Sequence, residues 1–287
     1  MRGKLNTEDQ SLDSILSSLR QRLAPVSDTP TLDAQVLLAF ILGKPRAWVL
    51  AHPEAVLTNE QRQNLQKAST RLEQGEPLPY ILGHWEFFGL DFILTPATLI
   101  PRPETELLVE QALLWLEAHP KQRMAADVGA GSGCIAVALA AHVPDLHIIA
   151  TDLSHQALQA TNLNAHRHNV AGRVWLAQAD LLPGLACPLD LVCANLPYIP
   201  TSTLQSLPIY GREPNLALDG GPDGLAVIGR LLDVAPYFMA STGLLLLEIE
   251  ASQGEAAQQL ALKAFQCAQV QVVQDLAGND RMLRIEL

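Results

Sequence analysis

Three short strings carry side chains suited to chemistry. Asp127-Val128-Gly129-Ala130-Gly131-Ser132-Gly133 is a glycine-rich loop between the apolar run Ala125–Val128 and the helix-like Ile135–His142. Glycines there let the backbone pass close to a ligand and aim helix N-terminal N–H groups at it. Asp152 ends the next apolar run, about 20 positions past the loop, where a carboxylate can accept from both hydroxyls of a ribose. The third string is Ala194-Asn195-Leu196-Pro197-Tyr198-Ile199. A planar NH₂ conjugated to a carbonyl or a ring is a poor nucleophile, so an enzyme gains by accepting hydrogen bonds from both of its hydrogens and aiming its lone pair at an electrophile. The Asn195 side-chain oxygen and the Leu196 carbonyl offer two such acceptors, and Pro197 stiffens the turn that presents them. Tyr198 can then lie flat against the target group.

The loop lacks the Gly-Lys-Ser/Thr ending of a phosphate-cradling P-loop, and Cys134 stands where a dinucleotide fingerprint needs Gly or Ala. Its D-x-G-x-G-x-G spacing resembles the first motif of class I S-adenosylmethionine methyltransferases. That resemblance implies S-adenosylmethionine as cofactor and Asp127, Gly129, Ala130, Gly131, Gly133 and Asp152 as residues that bind it, with Asn195 at its reactive end. It also implies that Asp180, in Ala179-Asp180-Leu181, hydrogen-bonds the adenine amino group while Leu181 packs on the ring. The glycine loop taken alone is also compatible with a plain strand-to-helix turn, and Asp180 alone with a solvated helix cap.

Elements of two kinds must position these strings. Up to about Gly75 the spacing is helical, as in Leu12, Ile15, Leu16 and Leu19, then Leu32, Val36, Leu37, Phe40 and Ile41, and a polar helix from Glu60 to Glu73 ends at Gly75. Trp85–Phe88 and Phe92–Thr95, separated by Gly89-Leu90-Asp91, read as a β-hairpin. Glu104 to Glu117 reads as a helix introduced by Pro101 and Pro103. Beyond it, strands are expected near Ala125–Val128, His147–Thr151, Val174–Gln178, Leu189–Ala194, Gly243–Glu248, Val270–Gln274 and Met282–Glu286, alternating with helices. The fold class is therefore α/β: a doubly wound, mostly parallel seven-stranded sheet with helices on both faces. The expected division is a helical docking domain over 1–75, a hairpin linker over 76–95 and a methyltransferase domain over 96–287.

The 287 residues, 48% of them hydrophobic, suffice for a large core. No apolar run approaches the ~18 residues of a membrane span, and Met1–Gln10 is polar. Four dispersed cysteines, Cys134, Cys187, Cys193 and Cys267, fit buried structural thiols of a reducing cytosol better than disulfides or zinc, so a cytoplasmic location is expected. A formal net charge of −11 argues against a broad grip on DNA or RNA and favours a protein or small molecule as partner. His166 and His168, two apart on a helix, face different ways and are read as a solvated face with no metal.

Three further strings make the resemblance specific: Gly75-Glu76-Pro77-Leu78-Pro79-Tyr80-Ile81-Leu82-Gly83, Leu99-Ile100-Pro101-Arg102-Pro103-Glu104-Thr105-Glu106, and Glu213-Pro214 through Ala217-Leu218-Asp219-Gly220-Gly221 to Asp223-Gly224-Leu225. With the cofactor loop and Asn195–Tyr198, nearly the whole chain resembles the glutamine methyltransferases of peptide chain release factors, the HemK/PrmC family. In that family an N-P-P-Y motif holds the glutamine of a Gly-Gly-Gln loop, and the helical N-terminal domain helps engage the release factor. The resemblance implies these roles for Asn195, Leu196, Pro197 and Tyr198 and for residues up to about Gly75. A monomer with no nucleic-acid or membrane partner is expected. Leu196 departs from the motif's first proline, which keeps the carbonyl and loosens the backbone. Arg102 and Glu104 either cover the site or form a pinning ion pair. The residues themselves leave open an adenine-amine methyltransferase, a methyltransferase of ribosomal-protein glutamine, and a binding module without turnover.

Overall fold

In the computed structural model, residues 11–182, 184 and 187–287 are described, and Met1–Gln10 lies outside them. The chain divides into two compact units, the first ending at Gly83 and the second spanning His84–Leu287. The first is all helix: α1 (Leu12–Leu23), α2 (Pro30–Leu42), α3 (Arg46–Ala51), α4 (Asn59–Glu73) and α5 (Leu78–Leu82). Thr58 and Gln61 form a reciprocal capping box at the start of α4. At its other end Gly75, at φ +87°, donates its N–H to Leu72 O (2.9 Å), and the Glu76 N–H reaches Arg71 O (3.1 Å), so a left-handed glycine satisfies the last carbonyls as expected.

The core of this unit gathers Leu12, Leu19, Leu23, Leu37, Leu38, Val49, Leu65 and Leu72. Helix α2 buries Ala34, Leu37 and Leu38, and leaves Leu32 and Phe40 exposed. Its sequence, PTLDAQVLLAFIL, is apolar on nearly every side, so spacing alone could not choose the buried face.

The unit boundary falls inside the stretch expected to be a hairpin linker. Residues 78–82 fold as α5 with the helices, and the hairpin β1 (His84–Phe87) and β2 (Leu90–Ile93) belongs to the second unit. Its turn is Phe88-Gly89, at φ +51° and +71°, and Leu90 and Asp91 are already in the second strand rather than in the loop. Positive φ at both central residues gives the two-residue turn whose twist suits a hairpin. Asn164 clamps the far end, accepting from Ile93 N (2.7 Å) and donating to Ile93 O (3.0 Å).

After a single 3₁₀ turn (Pro103–Thr105) come α6 (Glu106–Ala118), β3 (Met124–Val128), α7 (Cys134–His142), β4 (His147–Asp152), α8 (His155–Arg167), β5 (Val174–Gln178) and β6 (Leu189–Ala194). The chain continues through α9 (Thr201–Leu204), α10 (Ala226–Val234), β7 (Met239–Glu248), α11 (Gly254–Ala264), β8 (Gln269–Gln274) and β9 (Asp280–Glu286). The seven strands are ordered β5-β4-β3-β6-β7-β9-β8; β3 to β7 pair in parallel, and β9 runs antiparallel to both neighbours. The chain steps outward from β3 through α7 and α8 in one direction, then from β6 through α10 and β7 in the other. Right-handed crossovers in opposite directions place their helices on opposite faces. The reversal lies between β3 and β6, and the crevice beyond their C-terminal ends is where such sheets bind ligands.

Among the described residues no helix is long and apolar enough to cross a membrane. Cys193 is buried, but Cys187 and Cys267 are exposed, so the expectation of four buried thiols fails for those two: both lie in loops off the core strands.

Candidate functional site

Beyond β3 and β6 lies a cavity of about 410 Å³, lined on one side by Gly129, Gly131 and Asp152 and on the other by Asn195, Leu196 and Pro197. Asp180 and Leu181 also line it, whereas Asp127, Ala130, Gly133 and Tyr198 are not on its wall. Two segments outside the strand ends, Pro96, Ala97 and Leu99, and Pro214, Leu216 and Ala217, add further walls, as do the starts of α8 and α10. A clasp joins those segments: Glu213, buried, accepts from Ile100 N (3.0 Å) and pairs with Arg102 (2.5 Å). The ion pair of Arg102 is therefore with Glu213 and not with Glu104, and it ties two loops beside the cavity together.

The glycine loop works differently from its sequence expectation. Four of its N–H groups are spent inside the protein: those of Gly129 and Ala130 go to Thr151 O (2.9 Å each), that of Gly131 to Asp152 Oδ2 (2.9 Å) and that of Gly133 to Ala130 O (2.7 Å). The loop bends back to tie β3 to β4, and that tie consumes three of the donors. What the glycines supply is conformation and clearance. Gly129 and Gly131 lie at φ +77° and +58°, and a Cβ on Gly129 would come within 3.2 Å of Leu196 Cδ2. From α8, Thr161 holds Gly131 O (3.0 Å) and Asn164 holds Ser132 O (2.8 Å). Asp127 is fully buried, accepts from Ala136 N (3.0 Å) and thereby secures the start of α7. Burial, with the nearby Asp152 charge adding, pushes its carboxyl up to about 7.

Asp152 stands at the cavity edge, its second oxygen held by Ser154 N (2.8 Å). Asp180 pairs with Arg230 (2.5 Å), another lining residue; both are about half exposed, so the pair adds little stability.

The loop after β6 is fixed from below. Asn195 Nδ2 donates to Thr105 Oγ1 (3.0 Å), Tyr198 OH donates to Glu248 Oε1 (3.3 Å), and Gln253 Nε2 donates to Tyr198 O (2.8 Å). Ile199 forms a parallel bridge with Asp219, and a Cβ on Gly224 would fall 2.2 Å from Tyr198 O. The turn Gly220–Gly224 is thus a backbone-on-backbone support whose glycines leave no room for a Cβ. Glu248 is buried, and desolvation pushes it up to about 7 against the pull of the Thr105 and Tyr198 hydroxyls and Arg281. Burial first, then the Glu248 charge, raises the Tyr198 phenol. Leu196, 4% exposed, belongs to the buried core cluster that includes Val128, Leu181, Val192 and Ala194, so the residue that replaces the motif proline anchors the loop through its side chain.

Family models described as the PrmC N-terminal domain and the methyltransferase small domain match residues 14–83 and 104–206. A release factor glutamine methyltransferase of Moorella thermoacetica is 42% identical over 92% of this chain and 94% of its own. The chain belongs to the release factor glutamine methyltransferase family. Members of that family from Coxiella burnetii and Escherichia coli are each 37% identical, over 95% and 89% of this chain and 98% and 92% of theirs. In fold, the chain is similar to a crystal structure titled methyltransferase from Pyrococcus furiosus, with a TM-score of 0.50 at 15% identity over 80% of this chain and 98% of that one.

Like its family, the chain is an S-adenosylmethionine-dependent methyltransferase of the class I, Rossmann-like fold. The cavity's residues fit that cofactor: the volume lies within the ~300–1,000 Å³ of small-molecule sites. Glycine clearance lets a ligand lie against β3, and Asp152 offers lone pairs to a ribose while repelling a phosphate. Thr105, Glu248, Glu213, Thr161 and Asn164 were missed as supporting residues in the sequence. Thr105 and Glu213 lie inside the matched strings and could have been flagged there; Glu248, Thr161 and Asn164 carried no local signal. No cluster of three or more metal-ligating side chains occurs among the described residues; His166 bonds its own helix at Asn162 O (2.9 Å) and His168 bonds Asp91 O (3.0 Å).

Proposed function

We propose that this protein transfers the methyl group of S-adenosylmethionine to the side-chain amide nitrogen of the glutamine in the Gly-Gly-Gln motif of peptide chain release factors. The observation that carries the reading is the meeting, across the β3/β6 switch point, of a glycine-cleared cavity edged by Asp152 with the Asn195–Tyr198 loop. Gly129, Gly131, Asp152, Asp180 and Leu181 hold the cofactor, which supplies an electrophilic methyl at the Asn195 end. Neither Asn195 Oδ1 nor the Leu196 carbonyl accepts a hydrogen bond from another described group, so both are available to the two amide hydrogens of a glutamine. Tyr198 lies against the amide plane. As the C–N bond forms, the nitrogen becomes strongly acidic and gives up its proton to solvent, so alignment is the main catalytic device. The helical unit docks the release factor, and the enzyme works as a cytoplasmic monomer.

Mass spectrometry after incubation with labelled S-adenosylmethionine and, separately, a release factor, a ribosomal protein pool and duplex DNA tests the substrate. Methyl on the Gly-Gly-Gln glutamine is expected; methyl on adenine or on a ribosomal protein alone would overturn it. Asn195→Ala should lower transfer by on the order of 10²–10³ while calorimetry finds cofactor affinity kept.

A further inference from the structure

A glutamine side chain is an unambiguous brace only when both of its ends meet partners that cannot change roles. Gln253 meets that condition. It closes the 3₁₀ turn Ala251–Gln253 that leads from β7 into α11. Its Oε1 accepts the Glu250 N–H (3.1 Å), and its Nε2 donates to Tyr198 O (2.8 Å). A backbone N–H only donates and a backbone carbonyl only accepts, so the amide has one orientation and the bond to Tyr198 one direction. Gln253 is buried, which shields both bonds from competing water. Gly224 packs against the same bond: a Cβ there would fall 2.5 Å from Gln253 Nε2 and closer still to Tyr198 O.

We propose that Gln253 is a positioning residue for methyl transfer, which fixes the Tyr198 peptide and with it the aim of the Leu196 carbonyl and of the Tyr198 ring at the substrate amide. The inference rests on the reading of Asn195–Tyr198 as the loop that receives the substrate nitrogen. The place of the bond gives it this effect. Tyr198 O lies two residues after the Leu196 carbonyl, and the ring of Pro197 between them fixes one of the dihedrals that relate the two. At its far end the Tyr198 phenol is held by Glu248 Oε1 (3.3 Å). Tyr198 is thus pinned at backbone and ring tip by residues at and just beyond the end of β7, and among the described residues no other donor reaches its carbonyl. Gln253 is not on the cavity wall, so it acts through Tyr198. Removing its donor frees the Tyr198 peptide to rotate and spoils the in-line alignment, while Gly129, Gly131 and Asp152 on the cofactor side are left as they were.

The test uses the full-length enzyme with a bacterial release factor, following methyl transfer by mass spectrometry, cofactor affinity by calorimetry and folding by thermal melts. Gln253→Glu keeps an acceptor for the Glu250 N–H and deletes the donor to Tyr198, whereas Gln253→Met keeps the length and deletes both. Each is expected to lower kcat on the order of 10-fold or more at a temperature well below its Tm, with cofactor Kd and the KM for the release factor kept within about 2-fold. Gln258→Met, in α11, removes a comparable amide-to-carbonyl bond, to Val270 O (3.3 Å), and should retain kcat. If both Gln253 variants match Gln258→Met in kcat, or lose transfer only together with cofactor or release factor binding, the positioning role is overturned. An inactive Asn195→Ala beside that result leaves the reading of the loop intact, and an active Asn195→Ala overturns that reading itself. Should one Gln253 variant not fold, the other decides; should neither fold, the glutamine belongs to the fold and the proposal falls.

Discussion

Asp152 illustrates how one side chain can carry two tasks. Its oxygens hold the N–H groups of Gly131 and Ser154, which keep the glycine loop and the start of α8 in place, and the same oxygens edge the cavity. Removing the carboxylate therefore loosens the loop as well as deleting the proposed ribose acceptor. Asp152→Ala should weaken cofactor binding by on the order of 1.5–3 kcal/mol, the scale of hydrogen bonds to a charged partner. An unchanged dissociation constant by calorimetry would remove Asp152 from the site. Asp127, on the neighbouring strand β3, has the opposite character: it sits under the loop and accepts from Ala136 N rather than lining the cavity. Both aspartates were legible as motif positions, but a spacing rule does not say which of them faces a ligand.

At the scale of elements, the loop after β6 keeps its shape because other backbone segments lie directly against it. The Gly220–Gly224 turn approaches Pro197 and Tyr198 so closely that a Cβ on Gly220 would fall 2.8 Å from Pro197 O. Gly224→Ala, at φ +78° and aimed at Tyr198 O, should cost about 1–3 kcal/mol of stability and reduce transfer more than cofactor binding. Gly211→Ala, at φ +73° with nothing within 4 Å, should show only backbone strain of about 1–2 kcal/mol and retain transfer. Denaturant unfolding and single-turnover transfer compare the two; equal loss of transfer in both would show that the close approach is irrelevant. The hairpin shows the limit of reading elements locally. Gly89 signalled a turn, but its placement one step earlier, at Phe88-Gly89, follows from burying Phe87 and Phe92, which depends on what the hairpin packs against.

For the molecule as a whole, two buried carboxyls, Asp127 and Glu248, lie under the site with affinities for protons raised to about 7 from ordinary values of 3.8 and 4.5. Between those values the folded chain binds more protons than the unfolded chain, so their contribution to stability falls as pH rises. The Tm difference between Glu248→Gln and the wild type should therefore shift in favour of the variant from about pH 4.5 to about 7 and level off above. A difference that stays constant over that window, measured by thermal melts, would contradict the raised proton affinity. The same burial leaves Glu248 to accept from the Tyr198 hydroxyl away from bulk water.

By itself the sequence determined the seven strands and the helices between them, because alternating apolar runs and helical spacing are local patterns that burial enforces wherever the chain goes. It also determined the cofactor loop and the Asn195–Tyr198 string, whose glycine, proline and amide types are constrained by chemistry at neighbouring positions. Only the tertiary structure decided the strand order that brings Gly129 and Asn195 together, the spending of the loop's N–H groups on Thr151 and Asp152, and the burial of Leu196 in the core. It also joined Thr105 to Asn195 across 90 positions of sequence and Tyr198 to Glu248 across 50. Hydrogen bonds and contacts between residues so far apart leave no period or spacing in the chain, since they are fixed only when the sheet closes and each buried polar group must find a partner.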